Sequence, residues 1–406
     1  QNHVEIIGPL TGSGAVLANQ SATHIGFGWG ATSDFVFYGV FDGNTGNNPA
    51  WFKVGPTRMT MTNYSDTANL LTVWQGELVF SGPNGKWGAP TNAATEMRLA
   101  KGGTLIFDNT VNAVADRQVL TGGGNDWLTT TGGGEFKLLG HATAAADVTM
   151  FGIGNSAGTW HNGQGGNSGG AGIVTVVPDG DGSALRTSLT FQTAERFDNA
   201  GEKSSVWLIR GTGMGGLPGT YSASGAYTPN PANPKDGLVF ISSPNMLVGL
   251  GYGGNGNATS GLLPGGPGTP VAPVIPYILA AASATATEGD FATIDVASGV
   301  NRTGVRPLQA SEYAATSIQN ANLTLNIQVP ASQSLDYTGG DTRFSVLKLE
   351  DGASLNISGS LLNLTQRSQV FLNAGGILVP SGASASITST GGSPLRMGGG
   401  TSAYLH

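Results

Sequence analysis

The sequence twice places a serine between glycines in the spacing of a nucleophile elbow, GNSAG at 154–158 and GNSGG at 166–170. An elbow needs a strand before it and a helix after it to expose the hydroxyl beside an oxyanion hole. The sequence pattern leads us to expect neither a strand before nor a helix after either segment, and with glycine this abundant about one such match is expected by chance. Two carboxylate groupings come next: Asp179 and Asp181 in PDGDG, and Glu288, Asp290 and Asp295 in EGDFATID. Paired acids on one face can cleave a glycosidic bond or hold Ca²⁺. The same residues serve equally in turns and corners, where short carboxylates accept from nearby backbone, and the sequence favours that use. TGGGNDWL at 121–128 is one imperfect copy of a Ca²⁺-binding nonapeptide that works only in arrays. The histidines, His3, His24, His141, His161 and His406, lack the short spacing of a metal pair. Cysteine is absent, which excludes thiolate sites and disulfides. The expectation is no cofactor, no metal and no enzymatic activity.

Two residue types could meet sugars. Trp160, flanked by Gly and Asn in a long loop, is a candidate glycan contact because an indole face stacks on a sugar ring; loop packing is the alternative. Sequons stand at Asn63, Asn257, Asn301, Asn322, Asn356 and Asn363. Asn322 and Asn356 fall on the polar faces of expected strands and are candidate glycosylation positions, although a Ser/Thr/Asn-rich chain generates sequons in any case.

The elements that must position these residues are strands. Of 406 residues, 66 are Gly and 11% are charged, against about 7% and 25% in an average protein. The glycines lack a three-residue period, which excludes collagen, and 39% hydrophobic residues exclude a disordered chain. The net charge of -7 argues against a nucleic-acid partner. No stretch reaches the ~18 apolar residues of a membrane span; VAPVIPYILAAA at 271–282 is short and carries prolines, so no membrane insertion is expected. The chain begins without Met or a basic-then-apolar leader and is expected to be a processed product or an internal piece.

NLTLNIQV at 322–329 alternates apolar and polar residues with a period of two, the pattern of a half-buried strand. Similar runs are MTMT (59–62), ELVF (77–80), GTLIF (103–107), EFKLL (135–139), IVTVV (173–177), SLTF (188–191), SVWLI (205–209), LVFI (238–241), VLKL (346–349), SLNI (354–357) and QVFLN (369–373). Each is bounded by turn-forming residues, and helical periodicity is nearly absent. From 322 onward the strands arrive at the rhythm of a coil that stacks on itself. The expected fold is all-β: a right-handed parallel β-helix (β-solenoid) of roughly 20–25 residues per coil, with long Gly/Pro-rich loop excursions at 152–171, 213–235 and 251–276. Residues 1–406 are expected to form one continuous solenoid, with weakly matching coils over 1–70, long loops over 71–320 and regular coils over 321–406.

Several segments in order resemble the autotransporter-associated β-strand repeat family of giant bacterial surface proteins of planctomycetes and verrucomicrobia. They include GTLIFDNTVNAVADRQVL (103–120), SLTFQTAERFDNAG (188–201), EGDFATID (288–295), SVLKLEDGASLNISG (345–359) and QVFLNAGGILVPSGASASITSTGG (369–392). The resemblance covers about 70–406 and implies a passenger-type β-solenoid at the bacterial cell surface, extracellular, without an assigned activity. The ends add a further expectation. Tyr404, Leu405 and His406 read as the start of a strand, and Gln1, Val4 and Ile6 as its continuation. These six residues are therefore candidate assembly contacts, through which copies of the chain would join head-to-tail into a fibre as periods of a longer assembly. Surface glycans are a second candidate partner. The alternative is a carbohydrate-binding or polysaccharide-cleaving β-helix module.

Overall fold

The computed structural model describes residues 4–18, 24–43, 50–66, 70–88, 96–100, 102–120, 127–154, 170–178, 187–195, 205–214, 220–221, 227–228, 237–241, 270, 272, 274–296, 303–314, 325–337, 342–358, 362–363, 367–368, 370–371, 376–389, 395–396 and 404–405. Among them, strands dominate, and the one helical element is the 3₁₀ turn Ala310–Glu312. The chain divides into two compact units, Gln1–Ser242 with Ser283–Thr285, and Ser243–Ala282 with Ala286–His406.

In the first unit the chain passes the same positions again and again, each strand pairing in parallel with its counterpart one coil away. One side stacks Val4–Ile7, His24–Phe27, Ala50–Lys53, Leu71–Val73, Met97–Ala100, Trp127–Thr131, Ala146–Gly154, Thr187–Glu195 and Gly237–Ile241. A second stacks Phe35–Phe37, Arg58–Met61, Gly76–Phe80, Gly103–Asp108, Gly134–Leu139, Gly170–Val177 and Ser205–Gly211. Shorter pairs form a third side in the first coils, Ala15–Ala18 with Val40–Gly43 and Tyr64–Ser65 with Lys86–Trp87. This solenoid-like stack meets the expectation of an all-β, mainly parallel architecture.

Alternation in each strand turns one set of side chains inward, and parallel register lines those sets up along the stack. Phe35, Met59, Leu78, Leu105, Phe136, Val174 and Ile209 form one buried column. Ile25, Trp51, Leu71, Met97, Leu128 and Ile153 form another on the first side. Rings fill the first coils, with Phe41 4.8 Å from Trp51 and 5.0 Å from Phe27 between centroids. One coil alone would leave its apolar row wet, so each added coil stabilises its neighbours.

Glycines also fall in register: Gly76, Gly103, Gly134 and Gly172 stack one per coil at the start of the second side. A Cβ on Gly103 would lie 2.1 Å from the carbonyl oxygen of Val73. The corner is therefore closed by backbone against backbone, which explains part of the high glycine content. Coil length is not constant. Val4 pairs with His24 and His24 with Ala50, whereas further on Ala146 pairs with Thr187 and Thr187 with Gly237. The longer passages coincide with the Gly/Asn- and Gly/Pro-rich sequence between strands.

The second unit opens differently from the expectation of parallel coils throughout. Ile275–Ala281, Asp290–Val296 and Thr303–Pro307 pair antiparallel. Period-two patterning fixes which face a residue takes but carries no strand direction, and the short Ser/Thr/Glu/Gly connection after Ala281 suits a direct return. Beyond it, parallel stacking follows. Leu325–Val329, Thr342–Leu349, Gly376–Leu378 and Tyr404–Leu405 form one stack, and Ser334–Tyr337, Ser354–Ile357 and Ser386–Ser389 a second. Ile327, Val329, Leu347, Leu349, Leu355 and Ile357 pack between them. Within QVFLN the described residues Val370–Phe371 pair antiparallel with Arg367–Ser368.

Candidate functional site

Most residues singled out from the sequence are not brought together. Contrary to expectation, GNSAG does follow a strand, Ala146–Gly154. The serines of both elbow-like segments, PDGDG beyond Pro178, Trp160, His3, His161, His406, Gln1 and Asn322 lie outside the described residues. Val4 pairs with His24, and Ile6 is 56% exposed on the same strand. Tyr404 and Leu405 pair with Gly376 and Ile377. Asn356 sits in a polar ladder: its Nδ2 donates to Ser334 Oγ at 2.8 Å and to Asp336 Oδ1 at 2.7 Å, and its Oδ1 accepts from Thr388 Oγ1 at 2.6 Å.

The acids of EGDFATID fasten structure. Glu288 Oε2 accepts from the backbone N–H of Ser381 at 2.9 Å. Asp290 accepts from Lys348 Nζ at 2.7 Å and from the hydroxyl of Tyr313, and Lys348 also lies 3.0 Å from Glu350. Burial works against the Lys348 charge, yet Asp290 and Glu350 outweigh it and hold the ammonium above its ordinary value. Nearby, Arg306 and Glu312 form a buried fork, with both N···O distances 2.7 Å, and Gln309 N–H donates to the same carboxylate at 2.8 Å. Asp295 pairs through its backbone with Gly304. His141 accepts from Thr143 N–H through Nδ1 at 3.0 Å and has its Nε2 3.0 Å from Val111 O.

A second clamp lies in the first unit. Arg117 is fully buried; Nε donates to Asn109 Oδ1 at 2.6 Å, Nη1 to the carbonyls of Gly82 and Gly85, and Nη2 to those of Asp108 and Asn112. Burial lowers its pKa to about 10, against the attraction of Asp108 and Asp116, so the guanidinium stays charged at neutral pH.

The arrangement with most binding potential is a corner of the first coils that the sequence reading missed. Phe27, Lys53, Val73 and Leu99 occupy one inward column, so the lysine replaces an apolar side chain. Its ammonium reaches the corner and donates to Val54 O (3.1 Å), Gly55 O (2.8 Å) and Gln75 O (3.2 Å), a substitute for lost water. Desolvation nevertheless lowers its pKa to about 8, opposed by Asp34 and Glu77. Outside that corner stand rings. Trp74 is 55% and Trp29 63% exposed. Phe52 stacks on His24 at 5.5 Å and meets Trp74 edge-on at 5.9 Å. Thr72, in register with Phe52, is buried with its hydroxyl unpartnered among the described residues. The signal lay in AWFKV at 50–54, where alternation points Trp51 and Lys53 inward and Phe52 outward. No protein-family model matches the chain, and no curated protein and no solved structure matches it.

Proposed function

We propose that this chain is a non-enzymatic structural and adhesive protein, a right-handed parallel β-helix subunit or repeat of an extracellular bacterial surface fibre, related to the autotransporter-associated repeat proteins. In this reading copies join head-to-tail through their terminal strands. The observation that carries it is the parallel register repeated from strand to strand along both main stacks of the first unit, in which a described coil is both template and cover for the next. The strand Val4–Ile7 pairs with His24–Phe27 along one edge and has no strand partner on the other among the described residues. A strand added there would continue the ladder. The buried charges support the same reading, since Lys53, Arg117 and Arg306 spend their donors on holding the fold.

The test is sedimentation velocity over a concentration series, with Ile6→Pro as the blocking variant. Trp51 and Leu71, in register with Glu5, donate to the following coil, so the N–H of Glu5 faces His24–Phe27 and the N–H of Ile6 faces the open edge, where proline removes it. Self-association that grows with concentration and is lost in Ile6→Pro supports the reading. A monodisperse species at all concentrations overturns it.

A further inference from the structure

We propose that the aromatic corner of the first coils binds a neutral glycan, with pyranose rings stacked on Trp74 and Trp29. The inference is independent of head-to-tail joining, because it uses the flank of the stack and not its end. Three features carry it. The corner is held in place: Lys53 ties the carbonyls of Gly55 and Gln75, the backbone on either side of it, and Phe52 packs against His24 and Trp74. The rings also recur along the stack. Lys53 pairs with Phe27 on one side and Val73 on the other, so Trp29, two residues beyond Phe27, and Trp74, one beyond Val73, leave the same corner two coils apart and one residue out of register. With coils about 4.8 Å apart, an elongated ligand lying along the stack meets both indoles.

The third feature is what the patch lacks in area and charge. The partly exposed rings offer roughly 300–400 Å², well under the ~800 Å² per partner of a stable protein interface, so a second copy of the chain is a poor fit. Phe52 and Trp74 bear no formal charge, Arg98, next after Thr72 in the column of Phe52, is paired with Glu96 at 2.9 Å, and the chain carries a net charge of -7. An anionic membrane or an acidic polymer is therefore unfavoured. A neutral sugar with equatorial hydroxyls presents flat C–H faces of about one indole each, which suits the patch.

The test is affinity electrophoresis of the full chain in gels containing a soluble neutral β-glucan, polygalacturonate or no polymer, with a parallel flotation assay on phosphatidylglycerol vesicles. Retardation by the β-glucan alone is expected, reduced about tenfold by Trp74→Ala and further by Trp29→Ala with Trp74→Ala. The exposure of both indoles keeps the variants folded, which circular dichroism checks. Absence of retardation by the neutral glucan, retardation unaffected in the double variant, or preferential binding to polygalacturonate or vesicles would each overturn the proposal. So would a dimer in sedimentation that Trp74→Ala dissolves, since a second copy would then be the occupant. The head-to-tail reading is read out separately, because Trp74→Ala leaves the Val4–Ile7 edge intact.

Discussion

The ammonium of Lys53 lies 3.2 Å from the carbonyl oxygen of Gln75, the residue after Trp74, and 2.8 Å from that of Gly55. One buried charge thus fastens two successive corners of the stack. Its pKa falls from 10.5 to about 8, chiefly through burial. Between those values the unfolded chain keeps a proton that the folded chain has released, so folding stability rises with pH across that window. Below about pH 8 both states are protonated and the full penalty remains. Lys53→Met is expected to flatten this rise in urea titrations. The pKa of Tyr64 is raised to about 12, so its opposing effect begins only above its ordinary value of 10.0. An equal slope in both proteins would contradict the assignment.

Arg117 spends all its N–H directions on one side-chain and four backbone oxygens. Lysine keeps the charge but has three donors and no fork. Arg117→Lys is expected to cost about 2 kcal/mol and Arg117→Ala about 3 kcal/mol or more, measured by chemical denaturation. A change below the error of the measurement in both would remove the clamp.

Two adjacent glycines separate strain from collision. Gly102 has φ +83° with open space around its Cβ position, whereas Gly103 faces the Val73 carbonyl. Gly102→Ala is expected to cost about 1 kcal/mol, and Gly103→Ala about 3 kcal/mol because backbone cannot yield as a side chain can. Thermal unfolding of the pair checks the order; a reversed order would mean the corner is not closed by backbone contact.

The Arg306–Glu312 fork is buried on both sides, with side-chain exposures of 7% and 0%. Glu312→Gln leaves the guanidinium without its counter-charge and is expected to cost about 3–5 kcal/mol. Arg306→Met combined with Glu312→Leu is expected to recover much of that loss. A double variant no more stable than the single one would show that the pair is worth more than its burial costs.

Strand positions were legible because alternation survives even in a glycine-rich chain. ELVF, GTLIF, EFKLL and IVTVV fall within Gly76–Phe80, Gly103–Asp108, Gly134–Leu139 and Gly170–Val177, which do stack in register. Glu288 and Asp290, expected to serve at a corner, are held by groups within the fold, but their partners Ser381 and Lys348 are distant in sequence and could not be read from it. What could not be read was anything set by register. The glycine column, the antiparallel return at Asp290–Val296 and the meeting of Lys53 with Gln75 depend on which strands become neighbours. Trp29 and Trp74 are far apart in sequence, and only stacking brings them to one corner.

Negative-stain electron microscopy of the purified chain over a concentration series tests the central claim most directly. Thin filaments with a repeat of one molecule, shortened or abolished by Ile6→Pro, are the expected result. Discrete single particles at every concentration, with no end-to-end contacts, would contradict the account.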